Sequence, residues 1–424
     1  MATVTSIASG NWNAGSTWDS GARPGSSDDV IIANGHTVTL VQDENANSLK
    51  SESGSTIVGG GFTITIDGQA LGSAANIDGA VDAGSALNLT ITTAAATVLD
   101  VYPSSGKITN LTINHSSCVA TLGAFTPLLG NLAITAGELN TDASNNYALT
   151  VAGVVTNNGT LTLNGSTVNL GSTSAEAGDV TGSGTFNLDT STINFHTAGG
   201  ANFIPSTSAN FDTNTSTLNL IGLNGSNRAH NFNFASGNMH NITTSRGAGT
   251  DTHTETLNGN CTITGDLTVG ANSIFDTGSD RDLTVTGTCT LNGGTFTGNT
   301  STVSHGVLTI SSGTYNASSG TTTLNGTADV GMRVDGTFNN NDGTFVIDGS
   351  ITKVQMGSIG GAPTGFSINN APFHHLTIND SINFAWADKT LFNVEGDLIV
   401  AAGQTLGANN TNGGIKVLGD VTLN

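Results

Sequence analysis

Short triplets of the form apolar–polar–apolar run along this chain, usually with Thr or Asn in the middle. They include Val38-Thr-Leu40, Ile64-Thr-Ile66, Leu89-Thr-Ile91, Leu111-Thr-Ile113, Leu149-Thr-Val151, Leu161-Thr-Leu163, Phe186-Asn-Leu188, Leu218-Asn-Leu220, Leu308-Thr-Ile310 and Leu376-Thr-Ile378. Two apolar side chains flanking a polar one lie on the same face of a strand. Helical periodicity is absent throughout. The pattern predicts many short strands, each half-buried.

Spacing then selects the architecture. Val168 follows Leu161 by seven residues and Ile193 follows Phe186 by seven, so a strand pair recurs after 25 residues (186 − 161; 193 − 168). Farther on, Cys261 to Leu283 and Leu267 to Cys289 are both 22 residues (283 − 261; 289 − 267). Periods of this size signal solenoids or propellers, and a propeller blade needs about 40 residues. We therefore expect an all-β, single-stranded right-handed parallel β-helix of about 17–19 rungs, with irregular loops. At about 4.8 Å per rung it would be about 80–90 Å long.

A bend joins the paired strands and has its own signature. Ile263-Thr-Gly265-Asp266-Leu-Thr-Val269 matches Val394-Glu-Gly396-Asp397-Leu-Ile-Val400 and Val417-Leu-Gly419-Asp420-Val-Thr-Leu423; Val285-Thr-Gly287-Thr-Cys-Thr-Leu291 lacks the Asp. Gly adopts conformations that other residues resist, and Asp bonds neighbouring N–H groups, so a recurring corner is expected here. Where the triplets thin out, we expect breaks. The reading divides the chain into an N-terminal cap (1–40), a first helix part (41–194), a loop-rich insert (195–260) and a second helix part (261–424). A further irregular zone covers 326–374.

Composition sharpens this picture. Of 424 residues 57 are Gly, and only 10% are charged, so the polar majority is Thr, Ser, Asn and Gly. Disordered chains usually carry many charges and few β-branched residues, unlike this one. The net charge is −21, which argues against a nucleic-acid partner and against an anionic membrane surface. No run of 18 apolar residues exists, so membrane insertion is not expected. Cys118, Cys261 and Cys289 each occupy an apolar strand slot and read as buried thiols without a disulfide framework. The start, MATVTSIASGNW, has neither a basic n-region nor an apolar h-region.

Residues 10–40 differ from the rest. Trp12, Thr17, Trp18, Gly21, Pro24, Asp29, Val30, Ile31, Gly35, Val38 and Leu40 form a W…TW..G..P motif followed by a DVI..G..V.L run. This segment, about a tenth of the chain, resembles the opening of extracellular G8-like β-helix modules. Similar openings occur on phage appendages and bacterial surface proteins, and the resemblance implies a β-helix more than an activity. Physically, bulky Trp12 and Trp18 suit a plug at the open end of a solenoid, whose terminal repeats are atypical caps.

Candidate chemistry is sparse. Glycoside cleavage needs two carboxylates at a set separation. The candidates are Glu138 with Asp142, Asp251 with Glu255, and Asp276 with Asp280 and Asp282, all of which also suit solvated turns. Asp276, Asp280 and Asp282 could instead gather Ca²⁺, although the spacing is not that of an EF-hand loop and Arg281 lies among them. Trp386 offers a glycan platform or core packing beside Ile382 and Phe384. His374 and His375 are adjacent, so in a strand they would point to opposite faces.

The sequence thus points to a non-enzymatic structural or adhesive protein of a bacteriophage virion: a tail fibre, tailspike-like or capsid-decoration appendage that touches host surface polysaccharide. A tailspike-type depolymerase and a secreted bacterial adhesin are the alternatives. The last triplets place Val417, Leu418, Val421 and Leu423 on an unpaired rung. A homo-oligomer, with a trimer favoured, or another virion protein is expected to cover it.

Overall fold

The computed structural model describes all residues except 1, 69–72, 173–174, 176, 198–199, 205–209, 224–227, 233–237, 248–250, 357–372, 387–391 and 409–414. It is all-β, a parallel β-solenoid of about 16 turns. The one helical element among the described residues is a 3₁₀ turn at Gly15–Thr17. The chain forms two compact units, Met1–Ser216 and Thr217–Asn424.

In the first unit each full turn carries three short strands rather than the two read from the sequence. One turn comprises Leu149–Val151, Val155–Asn157 and Thr160–Thr162. The next comprises Thr167–Leu170, Val180–Thr181 and Thr185–Asn187. Each strand pairs in parallel with its copy: Val168 lies on Ile193 and Leu161 on Phe186, the 25-residue register expected. The third strand escaped notice because it is only two or three residues long and contributes a single inward valine, Val155 or Val180. The inward members of the triplets, such as Ile64, Ile66, Leu89 and Ile91, are buried. Burial of such side chains, at roughly 25 cal/mol per Å² of apolar surface, is the main driving force holding turn to turn.

The segment Thr3–Thr5 pairs with Asp29–Ile32, and Gly10–Asn11 with Thr37–Thr39, so residues 2–40 carry strands of two successive turns of the first unit's sheets. Trp12 and Trp18 are buried against each other, ring centroids 5.2 Å apart and edge to face. The Trp18 indole N–H donates to the Trp12 carbonyl at 2.6 Å.

The second unit repeats the scheme. Cys261 lies on Leu283 and Leu267 on Cys289, the 22-residue register expected. Two strands here run continuously through the bends, Leu283–Thr297 and Thr302–Asn316. Four rings stack along one inner face: Phe275, Phe296, Tyr315 and Phe338, with successive centroids 6.0, 4.7 and 5.6 Å apart and planes within 9°.

The expected loop-rich insert at 195–260 contains ordered strands. In the second unit, Thr217–Gly222 pairs with Asn241–Arg246, and Arg228–Phe232 with His253–Leu257. The inward slots of His253–Leu257 hold His253, Glu255 and Leu257, so a polar-filled strand keeps the alternation without the apolar signal. The zone 326–374 is likewise mostly strand, with Val330–Val334, Thr337–Asn339, Thr344–Ile347 and Lys353–Met356 in register with their neighbours; its residues 357–372 lie outside the described set.

Candidate functional site

Polar side chains on the flanks mostly bond from one turn to the next. At the Gly-Asp corner, the residue after Gly donates its N–H to the corner side chain of the turn below. Thr288 donates to Asp266 at 2.7 Å, Asp266 to Asn241 at 2.9 Å, and Asp420 to Asp397 at 3.0 Å. The first unit uses the same device with Asn: Asn131 donates to Asn110 at 2.7 Å and Val154 to Asn131 at 2.8 Å. A second corner is built from Asn and Asp at positive φ, among them Asp142, Asn164 and Asp189, residue types that tolerate this region.

Of the sequence-predicted carboxylates, Glu138, Asp276, Asp280 and Asp282 bond to the following turn, while Asp142, Asp251 and Glu255 bond within their own turn. Glu138 accepts from Asn140 at 3.0 Å and from Thr162 of the next turn at 2.8 Å, while Asp142 caps the amides of Ser144 and Asn145 at 2.8 and 2.9 Å. Asp251 faces Arg246 at 3.4 Å. Glu255 is buried and bonded to His253. Asp276, Asp280 and Asp282 are not brought together. Asp276 accepts from Asn299 and Gly278, Asp280 from the Thr300 hydroxyl, and Asp282 from the Thr302 amide. The three carboxylates serve as separate bonds to the following turn and do not form a group with all ligand atoms within 4.8 Å.

Trp386 ends the strand Ile382–Trp386, and its side chain lies outside the described residues. The ring that the sequence reading passed over is Tyr102. It is 54% exposed, the only exposed ring among the described side chains, and it packs against Phe125 at 5.7 Å. A lone Tyr beside a Pro-Ser-Ser-Gly bend carries no periodic signal that would have singled it out. At the other end, Val417 is half-buried in Ile415–Val417, while Leu418, Val421 and Leu423 are exposed; Val421–Leu423 pairs with Leu398–Val400.

The three cysteines are free and buried. Burial pushes the Cys118 thiol up to about 11 and Cys261 up to about 12, and raises Cys289 as well. None is thus poised as a nucleophilic thiolate. His305 donates to or accepts from the Tyr315 hydroxyl at 2.8 Å in the core, and burial lowers its pKa to about 3.

One set of ligating side chains does converge, where sequence reasoning placed none. Asn341 and Asp342 adopt positive φ, the Asp342 amide donates to Asn340 Oδ1 at 3.1 Å, and Asn341 reaches back to the Ala317 carbonyl at 2.8 Å. This tight corner holds the Asp342 carboxylate at the surface. In the following turn the His375 amide donates to the Gly343 carbonyl at 3.2 Å, and in the turn after it the Glu395 and Gly396 amides donate to the Phe373 and His374 carbonyls at 3.0 and 2.7 Å. His374 is thereby held between Asp342 and Glu395. Its Nδ1 lies 3.6 Å from Asp342 Oδ1 and 3.7 Å from Glu395 Oε2. Asp342, His374 and Glu395 are the one group of three or more such residues found among the described residues with all ligand atoms within 4.8 Å of one another. His375 is not one of the three, but its ring packs edge to face against His374, centroids 4.5 Å apart, so the adjacent pair does not point to opposite faces as the sequence suggested; its Nδ1 accepts the Asp397 amide at 3.0 Å.

Comparison with protein-family models, with curated proteins and with solved structures returned no match to this chain.

Proposed function

We propose that this chain is a structural and adhesive protein of a bacteriophage virion, a tail fibre, tailspike-like or capsid-decoration appendage, whose flank contacts host surface glycans without cleaving them. The observation that carries this reading is the use of the polar residues. Most of the carboxylates that sequence alone offers as catalytic candidates are bonded between turns, as Glu138 is to Thr162 and Asp282 to Thr302. Such ladders suit a protein whose task is to hold a stable surface. Tyr102 supplies the glycan contact: an exposed ring, packed at a tilt against Phe125, offers apolar surface of the kind on which sugar rings stack.

The test is a panel of capsular polysaccharides and lipopolysaccharides, scored both for retention of the protein and for new reducing ends. Retention without new ends is expected, and Tyr102→Ala should weaken retention about tenfold, the worth of one stacked ring. Appearance of new reducing ends would replace this reading with the depolymerase. Absence of retention on every polysaccharide would remove the adhesive part.

A further inference from the structure

We propose that Asp342, His374 and Glu395 form a binding site for a single Zn²⁺ ion that pins three successive turns of the second unit at one corner. This site stands independently of the virion reading.

The argument begins with the histidine. His374 is 29% exposed, yet its Nδ1 is shielded from solvent and has no hydrogen-bond partner among the described residues. A shielded ring nitrogen between two carboxylates needs a positive centre, because a bare lone pair facing two anionic oxygens is repelled. A proton on Nδ1 is one answer. The 3.6 and 3.7 Å separations are, however, too long for an N–H···O bond to either oxygen, which prefers 2.7–3.2 Å. A metal ion between the three atoms is the other answer.

Distances choose the ion. With Zn–N and Zn–O bonds of about 2.0–2.2 Å at a tetrahedral angle, neighbouring ligand atoms sit about 3.3–3.5 Å apart. The two separations from His374 Nδ1 exceed that by a few tenths of an ångström, and the two carboxylate oxygens lie within 4.8 Å of each other, so rotation of the exposed Asp342 and Glu395 side chains would have to close the set. Octahedral Mg²⁺, with bonds of about 2.0–2.1 Å, would need neighbours about 2.9 Å apart. Ca²⁺ takes oxygen ligands, six to eight of them, and has no use for the imidazole. One nitrogen, two carboxylate oxygens and an open position for water make a three-ligand zinc set.

The surroundings favour it further. Asp342 and Glu395 are 83% and 44% exposed, so they give access from solvent, while His374 is fixed by its backbone bonds. Asn340 Nδ2 lies 3.5 Å from the ligating Glu395 oxygen, placed to orient the carboxylate as outer groups do around metals.

The experiment uses the untagged full chain, stripped with chelator and titrated with ZnCl₂ by calorimetry, with parallel MgCl₂ and CaCl₂ titrations. One zinc equivalent is expected, together with a rise of several degrees in the melting midpoint that chelator reverses. His374→Ala and Asp342→Asn should each weaken zinc binding at least about tenfold. His115→Ala, a histidine of the first unit, should leave it unchanged. Circular dichroism keeps the comparison to folded protein; Asp342 is exposed, so its variant reports even where the His374 variant does not fold. Cobalt substitution should give the intense visible bands of tetrahedral coordination. Zinc affinity equal in the parent and both ligand variants overturns the proposal, as does preference for Ca²⁺ over Zn²⁺.

Discussion

Adding one methyl group at Gly287 would set a Cβ 2.5 Å from the Gly265 carbonyl oxygen and 2.8 Å from its carbon, backbone that cannot swing aside. Gly419 is crowded in the same way, its Cβ position 2.5 Å from Asp397 Oδ1. Gly265, Gly287, Gly396 and Gly419 all lack positive φ. The glycine of the recurring corner is therefore there for space and not for its backbone freedom. It lets the capping side chain of the turn below reach the next amide. The sequence made the position plain by its repetition, but attributed it to conformation and gave the Asp a local partner. The true partner lies one turn away, at a distance of about a repeat, where no single copy of the motif can display it. Gly287→Ala should destabilise the protein by about 1–3 kcal/mol through this overpacking. Gly25→Ala, whose nearest neighbour is Asp28 at 3.9 Å, should change stability by less than about 0.5 kcal/mol. Urea unfolding of the two variants measures the contrast, and equal losses would contradict the spatial explanation.

At the scale of the strand, identity of the inward residue matters more than the count of apolar positions. Phe296 is fully buried and stacked between Phe275 and Tyr315, so each ring covers the one below it. Phe296→Ala should cost about 3–5 kcal/mol, whereas Phe296→Leu, which keeps most of the volume, should cost less than half of that. Because a solenoid turn is supported chiefly by its neighbours, hydrogen exchange should quicken in the strands carrying Phe275 and Tyr315 before strands farther along. Uniform loss of protection would argue against nearest-neighbour support. The same emphasis explains which strands were legible. Where inward slots hold Leu, Ile or Val, as in Leu161-Thr-Leu163, the triplet announces the strand. Where they hold His253 and Glu255, or Ile242 and Thr244, alternation persists but its apolar signature does not, and an insert was read instead. The ligating corner was hidden by a related cause. Glu395 follows His374 by about one turn, but Asp342 precedes it across a longer turn that includes residues 357–372, so no fixed spacing links the three.

For the whole molecule, the carboxylates and the buried His305 respond to acid in opposite senses. With 31 acidic residues against 10 basic ones, protonation of carboxylates relieves self-repulsion in the folded state. Burial adds to this at Asp100, raised from 3.8 by desolvation and then by Asp78, and at Glu44, where desolvation outweighs the Arg23 partner. A carboxyl raised on folding takes its proton more readily in the native state, so stability grows as the pH falls from the raised folded value toward the ordinary one. His305 works the other way and at higher pH. Its folded value is lowered to about 3 from an ordinary 6.5, so the unfolded chain takes the proton first. The stability this gives is complete above 6.5 and drains as the pH falls toward 3, amounting to about 2 kcal/mol lost by pH 5. Since that window opens before the carboxylates titrate, the protein should weaken between pH 7 and 5. His305→Gln, which keeps a polar partner for the Tyr315 hydroxyl, should flatten that limb, so that the difference in unfolding free energy between parent and variant shifts by about 2 kcal/mol in the variant's favour from pH 7 to pH 5. Urea titrations at pH 7, 6 and 5 give the two curves. Parallel curves would mean that His305 is protonated inside the folded core, and the burial of its imidazole between Phe296 and Tyr315 could not then be as drawn.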